Sequence, residues 1–285
     1  MEEHLNQSKD SHIIPVTSVS SGKLREVRQD LVYYTNQIVN LIFIGLKHNK
    51  WVLIDAGMPT SGREIMDAAQ ERFGKGNAPQ AILLTHGHFD HVGSIVHLLK
   101  EWPDVRVYAH PAEFPFLTGR VAYPEPDTSV QGGLLAKLAT LYPHEPINIS
   151  ARLEELPCDG SVPFLKDWKW LPTPGHSPGH VSFYRESDRS LIAGDAFVTV
   201  KQHSLYKVLV QQEEVSGPPV YLTTQWQDAK VSVLLLNSLQ PKLAITGHGT
   251  HMEGEQLRTG LEILSREFDT KAIPKYGKFV DGGKD

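Results

Sequence analysis

"QAILLTHGHFDHVGS", residues 80–94, passes from a short apolar run into three histidines and an aspartate, and leaves through a glycine. "QAILLTH" reads as a strand, and "GSIVHLLKEW" after it has the apolar spacing of a helix. His86, His88, Asp90 and His91 therefore occupy the loop at a strand's C-terminal end, where open α/β sheets expose functional groups. Neutral imidazole and ionised carboxylate both donate lone pairs near pH 7, so such a cluster suits a cation. His86 and His88, two apart on extended backbone, point the same way and can grip one ion. Asp90 and His91 lie past the turn and can serve a second. Gly87 and Gly93 allow the backbone to run tight around them.

The surrounding chain alternates in the same manner. "QIVNLIFIGLKHNKWVLIDAG" reads as two strands with a turn at "KHNK", closed by Asp55-Ala56-Gly57. "TSGREIMDAAQERFG" carries Thr60 or Ser61 as cap, Ile65, Met66, Ala69 and Phe73 on one helical face, and Gly74 as its stop. "VRVYAH" is the next strand. Strand, helix, strand, helix, strand favours a layered α/β fold. Shorter strands follow at "KWLPTP", "HVSFYRE" and "SLIAGDAF". "TTQWQDAKVSVLLLNSLQ" is a helix, "KLAITGHG" a strand, and "EGEQLRTGLEILSREFDTKA" a final amphipathic helix. Two stretches rich in Pro, Gly and aromatics, residues 111–149 and 200–222, read as lid-like insertions. A polar tail covers about residues 1–12, and the whole reads as one domain.

Composition narrows the function. With 285 residues, 40% of them hydrophobic, the chain can bury a sizeable core. A net charge of −5 argues against nucleic acid and anionic membrane, which clustered Lys and Arg would favour, and leaves a small organic molecule as the expected partner. The oligomeric state is left open. The single Cys158 cannot form an internal disulfide and reads as a small buried residue, and no stretch approaches the ~20 apolar residues of a membrane span. The start lacks a signal peptide's basic and apolar regions, so the expectation is a soluble, cytoplasmic protein.

More ligands must come from elsewhere, and three residues share the strand-end setting. His176 lies in "TPGHSPGH", where prolines forbid a helix; Asp195 ends "LIAGD"; His248 ends "LAITGH". His180 follows His176 by four, but Pro178 removes the helical face that would align them, so a supporting hydrogen bond fits it better. His110, which ends "VYAH", is read as structural.

These residues, in this order, resemble the metallo-β-lactamase superfamily, whose signature is H-x-H-x-D-H followed by a distant His, Asp and His. The resemblance runs over roughly residues 30–250 and includes "WVLIDAG". It implies an αββα sandwich of two mixed sheets flanked by helices, with two metal ions at one end. His86, His88 and His176 would hold the first ion, Asp90, His91 and His248 the second, and Asp195 would bridge them. These nitrogen and oxygen donors suit two Zn2+ ions and admit iron or manganese.

Two such cations lower the pKa of a shared water toward ~7, which gives a hydroxide nucleophile for a carbonyl. Asp90 would orient it and carry a proton to the leaving group. The implied activity is hydrolysis of a small ester, thioester or lactone, and no G-x-S-x-G elbow suggests a serine nucleophile. Family members that cleave β-lactams with a cysteine at the second metal differ here, since Asp195 takes that place. Phe197, Tyr206 and Tyr123, with Phe114, Phe116 and Tyr142, are the expected pocket walls. Two other readings share the residues. A sulfur dioxygenase would hold a single iron with His86, His176 and Asp195. A non-catalytic, metal-stabilised scaffold would use a closed four-ligand site, whereas seven ligands around two ions leave room for water.

Overall fold

A computed structural model describes residues 5–10, 17–130, 143–200 and 213–280. Among these the chain divides into two compact units, residues 1–123 with 143–166, and 124–142 with 167–285. Tyr142, Tyr206 and most of "LLAKLATLYPHE" lie outside the described residues.

The first unit is built on a seven-stranded sheet in sequential order: β1 (Lys23–Arg28), β2 (Leu31–Asn36), β3 (Val39–Ile44), β4 (Val52–Ile54), β5 (Ala81–Leu83), β6 (Arg106–Ala109) and β7 (Leu153–Glu155). Strands β1 to β4 pair antiparallel and β4 to β7 parallel, so the sheet is mixed. The parallel pairs need crossovers, and α1 (Gly62–Phe73), and α2 (Phe89–Val92) with α3 (Ile95–Glu101), supply two of them, while the short α4 (Phe114–Leu117) follows β6. One face of the sheet, with Tyr34, Phe43, Leu53, Ile82 and Val107, packs on Ile65, Phe73, Ile95 and Leu99 of these helices. The alternate residues Leu31, Tyr33, Ile42, Ile54 and Leu83 are buried as well. Burial on both faces explains why β3 to β5 read as apolar runs. Trp51, just before β4, stacks on Phe73 at 4.5 Å and meets Phe43 and Trp102 edge-on.

The second sheet has the order β15 (Met252–Glu253), β14 (Leu243–Thr246), β11 (Ser190–Gly194), β10 (Val181–Arg185), β9 (Leu165–Pro172) and β8 (Ser161–Val162). It too is mixed, because β11 and β14 run parallel while their outer neighbours run antiparallel. Helices α5 (Trp226–Ser238) and α6 (Gly254–Arg266) lay Trp226, Val233, Leu257 and Leu261 against Leu191, Ala193 and Ala244. A hairpin of β12 (Val198–Val200) and β13 (Glu213–Ser216) completes the strands.

Several expectations shift. Ser61 does precede α1, but its side chain makes no capping hydrogen bond. The last helix ends at Arg266, where Glu267 leaves the helical region (φ −112°, ψ 24°), and a single turn, α7 (Phe268–Lys271), follows. Cys158 is exposed and not buried, because it sits in the turn closed by Gly160 N–H on the Pro157 carbonyl. Of the polar tail, Asn6 bridges Asn148 and the Gln7 amide donates to the Gly93 carbonyl at 3.1 Å. No helix among the described residues is long and apolar enough to cross a membrane.

Candidate metal centre

In the first unit β5 ends at Leu83, and Leu84 and Thr85 lead into the histidines. His88 then starts a one-turn helix, α2 (Phe89–Val92), which carries Asp90 and His91. His86, His88, Asp90 and His91 are all buried. The His86 ring lies 4.6 Å from that of His88 and 4.1 Å from that of His91. The short helix thus folds His91 back onto His86, although one strand of extended backbone would have pointed it away.

Hydrogen bonds decide which nitrogen of each ring carries a lone pair. Asp55, just after β4, receives the Thr85 N–H on Oδ1, and on Oδ2 it receives the Thr85 hydroxyl at 2.8 Å and His91 Nδ1 at 2.7 Å. A carboxylate only accepts, so His91 Nδ1 bears the proton and its Nε2 the lone pair. The Thr85 hydroxyl, having donated to Asp55, accepts from His86 Nδ1 at 3.1 Å, which leaves His86 Nε2 in the same state. One aspartate orients two imidazoles, the usual carboxylate–histidine support of metal ligands. Asp55 does so from the left-handed region (φ 62°), a cost that aspartate tolerates better than most residues.

The second unit repeats the logic with hydroxyls. Thr223 donates to the Pro219 carbonyl at 2.7 Å and so accepts from His176 Nδ1 at 2.9 Å. In the neutral ring His176 Nε2 then holds the lone pair, and it faces Asp195 Oδ2 at 3.4 Å. His248 Nε2 faces the same oxygen at 3.2 Å. Asp195, just past β11, is fixed by a chain of donors. Its N–H donates to His180 Nε2, His180 Nδ1 to Thr173, Thr173 to Ser182, and Ser182 to the Ala193 carbonyl, at 2.9 to 3.0 Å throughout. This is the supporting role expected of His180.

A carboxylate oxygen and a ring lone pair at 3.4 Å repel unless a cation or a proton lies between them. Asp195 with His176 and His248 in the second unit fits a metal on that ground, and in the first unit His86 and His91 offer imidazole nitrogens of the kind that bind one.

Tyr123 is buried, stacks on Phe116 at 3.9 Å and lies 4.5 Å from the His88 ring. Its hydroxyl donates to Glu113, which sequence reasoning did not single out. Burial, then the Glu113 charge and hydrogen bond, push the Tyr123 phenol well above its ordinary pKa, against a small opposing effect of the Gly87 N–H. With Phe89, Phe116, Pro143, Pro146 and Ile147 it lines a mainly apolar cavity. Phe197 is fully buried in the second unit's core, and Tyr206 lies outside the described residues. His110 Nδ1 accepts from the Ala112 N–H and caps the turn Pro111–Glu113, and burial lowers its pKa.

Asp55, Glu113 and Thr223 are the residues that the sequence reading passed over. The signal for Asp55 was present, an acid at the end of an apolar strand, but Asp-Ala-Gly also spells a turn.

Comparison with known proteins adds a second line of argument. The sequence profile described as "Metallo-beta-lactamase superfamily" matches residues 34–248. The "Probable metallo-hydrolase YflN" of Bacillus subtilis (strain 168) is 45% identical over 259 residues, 90% of this chain and 98% of that protein. Among solved structures, TTHA1623 in a di-iron-bound form is 27% identical with a TM-score of 0.50, covering 80% of this chain and 92% of its own. BJP-1, a subclass B3 metallo-beta-lactamase of Bradyrhizobium japonicum, has a TM-score of 0.59 at 20% identity over 89% of this chain and 94% of its own. At that identity the likeness speaks for the fold alone.

Proposed function

The chain belongs to the metallo-β-lactamase superfamily, and from that premise we propose that it is a metal-dependent hydrolase acting on a small ester, thioester or lactone. His86, His88 and His176 would hold one cation, Asp90, His91 and His248 a second, and Asp195 would serve both. The observation that carries this reading is the Asp195 carboxylate oxygen set against two histidine nitrogens at 3.4 and 3.2 Å, one of them on a ring whose other nitrogen donates to Thr223. The matched region, residues 34–248, contains all seven positions. When bound, such a cation pair supplies Lewis acidity, polarising a carbonyl and bringing the pKa of water toward ~7.

The protein's own groups do the rest. Asp55 and Thr85 keep protons on the Nδ1 atoms of His91 and His86, and Thr223 does so for His176, so the ligand nitrogens are ready without rearrangement. Asp90 orients the attacking water and returns its proton to the leaving group. Nitrogen and oxygen donors favour zinc, and the di-iron form of TTHA1623 makes iron the competing occupant.

Elemental analysis of protein purified without chelator, joined to a screen of esters, thioesters and lactones, tests the proposal. About two metal ions per chain, with hydrolysis of a member of the panel, is the expected result. One iron per chain with oxygen uptake on a persulfide would overturn it in favour of the dioxygenase.

A further inference from the structure

Beside the histidine loop of the first unit lies an acid that the hydrolytic scheme does not use. Glu113 is completely buried, at 0% exposure, on the turn after β6. Its Oε2 accepts the Gly87 N–H at 2.9 Å and the Tyr123 hydroxyl, and the Tyr123 oxygen accepts the same Gly87 N–H at 3.1 Å. Gly87 is the residue between His86 and His88, so both acceptors converge on the peptide that joins two ligands. The fit leaves no slack: a Cβ at Gly87 would lie 2.6 Å from the Tyr123 oxygen and 3.1 Å from Leu117 Cδ2. Tyr123 also sets its ring 4.5 Å from that of His88, with Phe116 stacked behind it.

A single backbone N–H needs only one neutral acceptor, and a carbonyl serves that purpose throughout the fold. Burying a carboxylate there is costly, and the hydrogen bonds it accepts from Gly87 and Tyr123 offset part of that cost while fixing both donors in place. We propose that Glu113 and Tyr123 are positioning residues that clamp the Gly87 peptide and the His88 ring, and so set how tightly the His86–His88 pair binds metal. The inference rests on the metal-centre reading. It assigns the two residues a role through His86 and His88, without contact to substrate.

Cobalt(II) titration of the full chain after metal removal, followed by its visible absorption spectrum and by competition with a chelator, tests the clamp. Glu113→Gln keeps the acceptor oxygen and the size but removes the charge. About tenfold weaker cobalt binding with an altered spectrum is expected, while the melting temperature of the metal-free protein stays near that of wild type. Tyr123→Phe should shift the spectrum with a few-fold weaker affinity, because Glu113 still holds Gly87. Binding within twofold of wild type and an unchanged spectrum in Glu113→Gln overturns the proposal. If that variant does not fold, an unchanged spectrum in Tyr123→Phe overturns it instead. Failure of the wild-type chain to bind cobalt overturns the metal-centre reading itself, a result separate from the other two.

Discussion

Three of the histidines proposed as ligands, His86, His91 and His176, owe the orientation of their rings to neighbours outside the proposed ligand set. His91 and His86 both depend on Asp55, directly or through Thr85. Asp55→Asn should therefore damage metal binding more than its distance from any reaction suggests. An amide oxygen replaces only one of the two carboxylate acceptors, and the new N–H2 confronts either the Thr85 N–H or the His91 Nδ1–H. Loss of such support costs about 10–100-fold in metal affinity, measurable by chelator competition; unchanged affinity would remove Asp55 from the scheme. His110 gives a pH dependence of a different kind. Burial lowers its folded pKa, and its Nδ1 must stay unprotonated to accept from Ala112. The unfolded chain thus takes up the proton more readily. Stability is full above the unfolded value of about 6.5 and falls as pH drops through the folded one. His110→Asn keeps a capping acceptor, so the gap between wild type and variant in urea unfolding should narrow as pH falls; a gap constant with pH would contradict the assignment. The seven candidate positions stood out in the sequence because His and Asp at successive strand ends have few other reasons to be there. Asp55, Thr223 and Glu113 did not, because their partners lie 36, 47 and 26 residues away and nothing local announces them.

Elements were legible in proportion to their length and one-sidedness. Helices α1, α3 and α5 and strands β3, β5, β6 and β14 fall where apolar spacing puts them. The sequence reading missed β1, whose residues are half-exposed edge positions, and β7, β8 and β15, of two or three residues each, which are too short to show a period. Thr223 was assigned to the helix that in fact begins at Trp226, because the threonine is drawn out to His176 and Pro219. Between α2 and α3 the chain turns in very little space. A Cβ at Gly93 would lie 2.2 Å from Pro59 N and 2.5 Å from Met58 C, backbone atoms that cannot swing aside. At Gly74 the nearest atom would be 3.8 Å away, and only its φ of +94° opposes a side chain. Gly93→Ala should accordingly cost at least the ~1–3 kcal/mol of ordinary overpacking, and Gly74→Ala nearer 1 kcal/mol. Urea unfolding of the two variants checks the order, and equal losses would mean that the α2–α3 turn relaxes more easily than its packing implies.

At the scale of the whole chain, the fold class rested on a signature of only seven residues, yet the mixed sheets and the family match agree with it. Each compact unit has its own apolar core, one around Phe43 and Leu99, the other around Phe197 and Leu261. In the unfolded chain the residues proposed as ligands are scattered over positions 86 to 248. A cation bound by the folded chain alone stabilises it by mass action, about 2.7 kcal/mol when free metal stands at 100 times its dissociation constant. For a chain of this size each kcal/mol moves the melting temperature by roughly 2–4 °C. One bound ion should then be worth on the order of 5–10 °C, and a second adds to it. Scanning calorimetry with and without chelator measures the difference, and restoring zinc should recover it. A transition at the same temperature with and without chelator would mean that the seven residues contribute no metal-linked stability, and the binuclear reading would fall with it.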